Sequence, residues 1–526
     1  MAAGERGAAV AQDIPAPLIA ALIVALWLAR LLPQAARGTF SSDECFHAAA
    51  MHALLDQHAL PRVLPQFYSG FRYFYQPAFH VLGAAWLACF GEAGLHVLPV
   101  AVTSATLALL LSGAATGSRR TGAWAALALI SVASYGDFAV RLYADGFVVL
   151  LFVSVAAAWC ALAKTPTRGR AAALGALTGI ALLAKFTALV WLVLLAMALV
   201  TAAVRGQRTR AQALALALVL ALAIVAPWWW RNQQLFGSAF YPAGAPDVDR
   251  ALQALNAQRY SDPPLALLWA CVREAWAPFV AAALAVALAA AALARRDAAS
   301  PPGRATLLVG ALLALVASAF GPYAALRHLD AFVALMLVAA MPVIEPAVVR
   351  DAAPARGSAW GVLVFVACLA AGLAALVHGD GHRADQEPPA ELGPALQAVR
   401  SLTPKDARIL SLWTYDTAYH TGRQATWPIP WGQQGRPVRL FRAMDAADLA
   451  RVMDDERIGW LLIPTEPDSG GFDSANHPAG FMARVDTLLA HGALREAWSS
   501  DDLRLLARVP APGTTAAAPR VPARRP

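Results

Sequence analysis

The chain alternates apolar blocks, many near twenty residues long, with short polar stretches rich in arginine. A bilayer crossing needs about 20 mostly apolar residues. On that criterion about eleven spans are expected, at 15–34, 94–116, 122–136, 144–163, 171–184, 186–204, 211–228, 276–294, 305–320, 330–345 and 358–378. The run from 171 to 204 is too long for one crossing and divides near Lys185. From about residue 384 charges return and apolar runs shorten. There "ARILSLW", "GWLLIPTE" and "LRLLARV" read as strands, and 390–401, 444–455 and 478–491 read as helices. The expected fold is mainly α, with four parts. Residues 1–14 form a cytoplasmic N-terminus, and 15–378 a polytopic transmembrane domain with an outer loop at 35–93. A small extracytoplasmic α/β domain covers 384–510, and a Pro/Ala-rich disordered tail covers 511–526.

Composition sharpens this picture. Of 526 residues, 59% are hydrophobic and 14% charged, against about 25% charged in an ordinary soluble domain. The formal charge of +8 is carried mostly by arginine. In a membrane chain it marks cytoplasmic loops rather than nucleic-acid binding. The five cysteines, at 45, 89, 160, 271 and 368, show no CxxC spacing and predict neither a disulfide framework nor a zinc site. The first apolar run lacks a small-residue cleavage site and reads as an uncleaved span. There is no P-loop, HExxH or GxSxG, and no GxGxxG in a nucleotide-binding context. That argues against an ATP-driven pump or a soluble-type hydrolase.

Sidedness follows from the basic loops. "SRRTG", "KTPTRGR", "RGQRTR", "ARRDAASPPGR" and the 346–357 segment fall on one side if 77–92 lies along the surface instead of crossing. The N-terminus is then cytoplasmic, and everything beyond 378 is outside, at a cell membrane. On this map Asp43, Glu44, Asp137, Arg141, Asp145, Lys185, Arg231, Arg327 and His328 gather at the outer surface. Ionisable groups at membrane depth are expensive and point to function. Snorkelling at helix ends is the alternative for any one of them; as a set they suit an anionic ligand.

The stretch "SSDECFH" (41–47) has two readings. Ser41 and Glu44 make a capping box at a helix start. Adjacent helical positions point apart, so Glu44 can fold back on that start while Asp43 is left for a catalytic role. His47 follows one turn on along the face of Asp43.

The order of landmarks carries a resemblance. "SSDECFHAAAMHALLDQHALP" is followed by "FRYFYQPAFHVLGAAWLACFGEAGLHVLPVAVTSATL" and then "RLYADGFVVLLF". Next come "GIALLAKFTALVWL", "APWWWRNQQLFGSAFYP" and "ALRHLDAFVALMLVAAMP". This order resembles the GT-C class of polytopic membrane glycosyltransferases, the broad group of protein O-mannosyltransferases and lipid A aminoarabinose transferases. The similarity covers roughly residues 15 to 345, and weakly the later "YHTGRQATWPIP". It implies a sugar donor linked to a polyprenyl phosphate and transfer to a hydroxyl on a glycan, lipid or protein acceptor, outside the cytoplasm. It places Asp43 and Glu44 on the acidic catalytic pair, and His47 shortly after it. Tyr75 and Gln76 lie by the Gln76–Pro77 dipeptide; Gln76 stands where a basic residue is usual, and Ala78 where a second proline is. Asp145, Lys185, Arg231, Arg327 and His328 fall on polar positions near outer span ends. No cofactor is firmly implied, and a divalent metal is left open. Chemistry asks for the same residue types: a carboxylate base for a weakly nucleophilic hydroxyl, and cations for a departing phosphate. On these grounds Arg231 and Arg327, with Lys185 third, are expected to clamp the donor phosphate.

Three other classes are weighed. An oligosaccharyltransferase would carry a WWDYG-like motif in its outer domain, and none is present. A lipid-linked sugar flippase or transporter would concentrate charge at mid-membrane with broken helices or inverted repeats. A scaffold protein would not need an acidic loop together with arginines.

Overall fold

The computed structural model describes residues 16–37, 39–40, 43–64, 66–67, 73–241, 264–274, 329–349, 392–426, 445–465 and 480–509, with short helical pieces between 279 and 316 and at 370. Helices α1 (Ala16–Arg37), α2 (Asp43–Gln57) and α3 (Ala78–Leu111) open the chain. They are followed by α4 (Arg119–Ile130), α5 (Ala133–Phe138), α6 (Ala144–Lys164), α7 (Arg168–Leu182), α8 (Leu189–Val204) and α9 (Arg208–Phe236). Two further helices among the described residues are α10 (Pro264–Glu274) and α11 (Asp330–Val349). Among the described residues, Ala78–Leu111, Ala144–Lys164, Phe186–Val204 and Arg208–Phe236 are long and apolar enough to cross a membrane. The expected spans at 276–294, 305–320 and 358–378 lie largely outside the described residues.

One expected boundary changes and one is kept. The expected division between 77–92 and 94–116 is observed as a kink at Gly91, with φ 67° and ψ −172°, that separates two helical halves of α3. That backbone conformation belongs almost solely to glycine, so the bend is written into the sequence. The expected span 122–136 is instead α4 and α5. Ser131 turns its hydroxyl onto the Ala128 carbonyl (2.6 Å), and Val132 leaves the helix at φ −79°, ψ 115°. Local hydroxyl bonds of this kind compete with helix continuation. The division at Lys185 is observed: that residue is extended, between α7 and a 3₁₀ turn at Phe186–Ala188.

Close helix packing uses small residues. A Cβ at Gly175 would lie 2.5 Å from the Ala217 carbonyl, and one at Gly179 would lie 2.7 Å from Ile224 Cβ. This Gly-xxx-Gly face lets the backbones of α7 and α9 approach as membrane helices do.

The C-terminal unit contains α12 (Leu392–Leu402), β1 (Arg408–Ser411), α13 (Thr414–Thr421), β2 (Gln424–Thr426) and α14 (Ala446–Asp455). It continues with β3 (Trp460–Pro464), α15 (Phe481–Ala490), β4 (Leu494–Ser499) and β5 (Leu503–Arg508). The sheet order is β2-β1-β3-β5-β4. Strands β2, β1 and β3 run parallel, and β5 and β4 pair antiparallel. Side chains alternate across the sheet. Leu410, Leu461, Ile463 and Leu506 pack under α14 and α15, while Ile409, Trp460, Leu462 and Leu505 pack under α12. The three strands and three helices expected from sequence are all present; β2, β4 and α13 are additional.

This unit is tied to the first loop. The Ala425 N–H donates to the Gln66 carbonyl (3.2 Å), and Phe67 bridges Ala425 in parallel, extending the sheet edge. The ring of Tyr415 on α13 meets Phe46 (5.2 Å) and Phe67 (5.3 Å).

Candidate active site

The acidic pair stands at the first two positions of α2, where the helix dipole favours negative charge. Its two members are held differently. Glu44 is buried, and its Oε1 accepts from the Leu142 N–H at 2.8 Å. This carboxylate ties α2 to the turn before α6. Ser41, the expected cap, lies outside the described residues. Asp43 is half-buried and close enough to Tyr415 to act on it. Burial, the phenol of Tyr75 and then the charge of Asp43 push the Tyr415 phenol well above its ordinary range.

His47 lies inside a buried chain of polar groups. Its Nδ1 is 2.7 Å from His80 Nε2, and His80 Nδ1 is 2.6 Å from the Tyr73 hydroxyl. Both nitrogens of His80 are therefore engaged. Burial pushes the Tyr73 phenol up, with Arg231 opposing, so the phenol stays protonated. The Arg231 guanidinium sits 4.6 Å from the Trp228 ring centroid and 5.8 Å from that of Tyr73. It donates to the Pro61 carbonyl at 3.0 Å. Arg231 thus faces the first loop from the end of α9, on an aromatic platform of the kind that holds cations.

Two residues in contact with Arg231, Trp228 and Asn232, carry buried N–H groups without a hydrogen-bond partner among the described residues, at Nε1 and Nδ2; Gln76 Nε2 is another such atom. Trp228 and Asn232 share one face of α9 at i, i+4 spacing. Buried polar groups are almost always satisfied, so unmatched N–H groups mark places where acceptor atoms belong. Gln76, at the position where the resemblance expects a cation, contributes such a donor. Tyr75 packs its ring on Phe46 (4.6 Å) and lies 5.8 Å from His47.

The remaining expected residues fall elsewhere. Asp145 Oδ1 and Lys185 Nζ form an ion pair between the start of α6 and the break after α7. Asp145 is buried and Lys185 half-buried. Lys185, the expected third clamp cation, is paired with Asp145. Arg327 and His328 lie outside the described residues. Sequence reasoning passed over His80, Tyr73 and Trp228, and also Cys45, Asp416 and His420, which meet where α2 touches α13. There burial, and after it the charges of Asp416 and Glu44, push the Cys45 thiol well up. The spacing of Asp416 and His420, one helical turn apart, was the available signal; nothing local pointed to Cys45 as their neighbour.

Residues 71–254 match the model of a domain of unknown function (DUF8201). No curated protein sequence matches the chain. Several solved structures share its fold. ArnT from Cupriavidus metallidurans in the apo state aligns at 16% identity over 94% of this chain and 97% of its own, with a TM-score of 0.63. The same protein bound to undecaprenyl phosphate gives 15% identity, coverage of 94% and 98%, and a TM-score of 0.60. The archaeal oligosaccharyltransferase AglB from Archaeoglobus fulgidus, in complex with an inhibitory peptide and a dolichol-phosphate, aligns at 14% identity. That alignment covers 91% of this chain and 72% of AglB, with a TM-score of 0.64. The chain has the GT-C fold of these polytopic membrane glycosyltransferases, and with its apolar helices it is a membrane protein.

Proposed function

We propose that the protein moves a sugar from a polyprenyl-phosphate-linked donor to a hydroxyl acceptor, with Asp43 as general base. The observation that carries this is the division of labour at the start of α2. Glu44 is buried against the Leu142 N–H, a positioning role, while its neighbour Asp43 sits half-buried at the N-terminal end of the helix. A carboxylate there takes the proton of the attacking hydroxyl as the new glycosidic bond forms. The lipid phosphate departs with both electrons of the old bond. Arg231 receives that charge, with the N–H groups of Trp228 and Asn232 beside it and Gln76 as a further donor. Arginine suits this because its fork meets two phosphate oxygens. The lipids bound in two of the similar structures, undecaprenyl phosphate and dolichol-phosphate, support a lipid-phosphate donor. The reaction takes place on the outer face, where the basic loops put the 35–93 loop and the C-terminal unit.

The reading is tested with purified protein and lipid-linked sugar donors, scoring glycosylated acceptor. Asp43→Asn is expected to insert and bind donor yet transfer almost nothing; near wild-type turnover would end the base assignment. Translocation of donor without any transfer would identify a flippase instead. A Lys405→Cys variant compared with its parent tests sidedness: labelling by an impermeant maleimide only after the cytoplasmic side is opened would reverse it.

A further inference from the structure

Outside the proposed donor site, three metal-ligating side chains from opposite ends of the sequence converge. Cys45 of α2 lies with its Sγ 3.5 Å from His420 Nε2 and 3.9 Å from Asp416 Oδ1. All three ligand atoms lie within 4.8 Å of one another. Cys45 and Asp416 are buried, and His420 is half-buried. We propose that Cys45, Asp416 and His420 form a site for a zinc-class divalent ion that pins the first turn of α2 to α13.

The geometry suits that ion. Zn–S bonds of about 2.3 Å and Zn–N or Zn–O bonds near 2.1 Å, at tetrahedral angles, separate the sulfur from each other ligand by about 3.6 Å. The observed 3.5 and 3.9 Å bracket this value. One thiolate, one imidazole and one carboxylate form a donor set for zinc or cobalt; magnesium and calcium take oxygen ligands instead. Three protein ligands leave the fourth position to water. A rival reading, a cysteine nucleophile activated by histidine, fits less well. Asp416 approaches the sulfur, where it opposes a bare thiolate, and Cys45 is fully buried, whereas a nucleophile needs access. A cation between the groups turns the same charges into attraction. Binding releases the thiol proton. The imidazole Nε2, whose N–H now donates to the Phe40 carbonyl at 2.8 Å, would give up that hydrogen bond, shift its proton to Nδ1 and offer its lone pair to the metal.

The site is independent of the transfer reaction, and so is its test. The intact protein in detergent, with thiols reduced, is stripped with chelator, loaded with zinc chloride, desalted and analysed for metal. About one zinc per chain is expected, with a zinc-dependent rise in Tm. Cobalt loading should give a thiolate-to-cobalt charge-transfer band. Cys45→Ser and His420→Gln should lose the cobalt band and retain less than roughly a tenth of the zinc, a loss of about 1.4 kcal/mol or more per ligand at matched zinc. Cys89→Ser, at an exposed cysteine, should behave as wild type. If the variants fail to fold, the wild-type cobalt spectrum and the zinc dependence of its Tm decide alone. A reduced wild type that holds neither metal and melts identically with and without zinc overturns the proposal. So does a normal cobalt band in Cys45→Ser.

Discussion

The helical bundle and the C-terminal sheet obey opposite rules of exposure. On the bundle, Val193, Val200, Val204 and Val219 are each more than half exposed, at 57, 61, 82 and 62%. Among the described residues beyond 392, no large hydrophobic side chain is exposed. The first surface suits lipid and the second suits water. Carboxylates of ion pairs are placed differently too. In the bundle, Asp145 is 10% exposed beside Lys185; in the C-terminal unit, Asp486 and Asp454 are 57 and 52% exposed beside Arg504 and Arg508. On the proposed function, the chemistry belongs to neither region but to the seam where the start of α2 and the end of α9 meet the first loop.

If the seam carries the reaction, variants there should change rate without changing stability, and variants in either core should do the reverse. Asp43→Asn is the sharpest case. General-base loss is expected to lower turnover by roughly 10²- to 10⁴-fold, with Tm and donor binding near wild type. Leu462→Ala tests the opposite side. Leu462 is fully buried in the central strand β3, and its truncation should cost about 2–5 kcal/mol. Tryptophan fluorescence against denaturant should show the C-terminal unit unfolding earlier, with activity normal until it does. Arg231→Ala should lower kcat/KM roughly 10- to 150-fold, since a charge-assisted hydrogen bond contributes ~1.5–3 kcal/mol. Binding of a polyprenyl-phosphate analogue should weaken while Tm holds; early melting with normal binding would return this arginine to structure and blur the comparison.

The smallest effect concerns His52, whose Nε2 meets Glu92 Oε2 at 2.6 Å between α2 and the bend of α3. The hydrogen bond to Glu92 raises the His52 pKa. A raised folded pKa means the stabilisation is fully present below the unfolded value of about 6.5. It fades as pH rises through the folded value. Both groups are more than a third exposed, so the gain is under about 1 kcal/mol. Tm measured against pH should fall slightly faster for wild type than for Glu92→Gln above neutrality. Identical slopes would remove this contact from the account.

Much of this was legible along the chain, and what was not has a common cause. The strands at 408–411, 460–464 and 503–508 showed because short apolar runs carry their own boundaries. Lys185 marked its break because a charge inside an apolar run is conspicuous. Strand β4 was hidden because its sequence, "LREAWS", is mostly exposed or half-exposed. Asp43 and Glu44 were found as a pair, but their division was not, because the Leu142 N–H that holds Glu44 lies 98 positions away. The Asp145–Lys185 pair, 40 positions apart, escaped for the same reason: periodicity reports which face is apolar, not which polar groups meet.

The bond network between α2 and α13 also orders events in time. Cys45 and His420 are 375 positions apart, so on a ribosome adding about 5–20 residues per second the early half waits roughly 20 to 75 seconds for the late half. During that interval the first loop has emerged but Tyr415, Asp416 and Ala425 do not yet exist. The α2–α13 contact therefore forms late, although α2 itself is made near the start. A chain arrested before residue 414 would leave Cys45 and Phe46 without their α13 partners, while Glu44 could already meet Leu142.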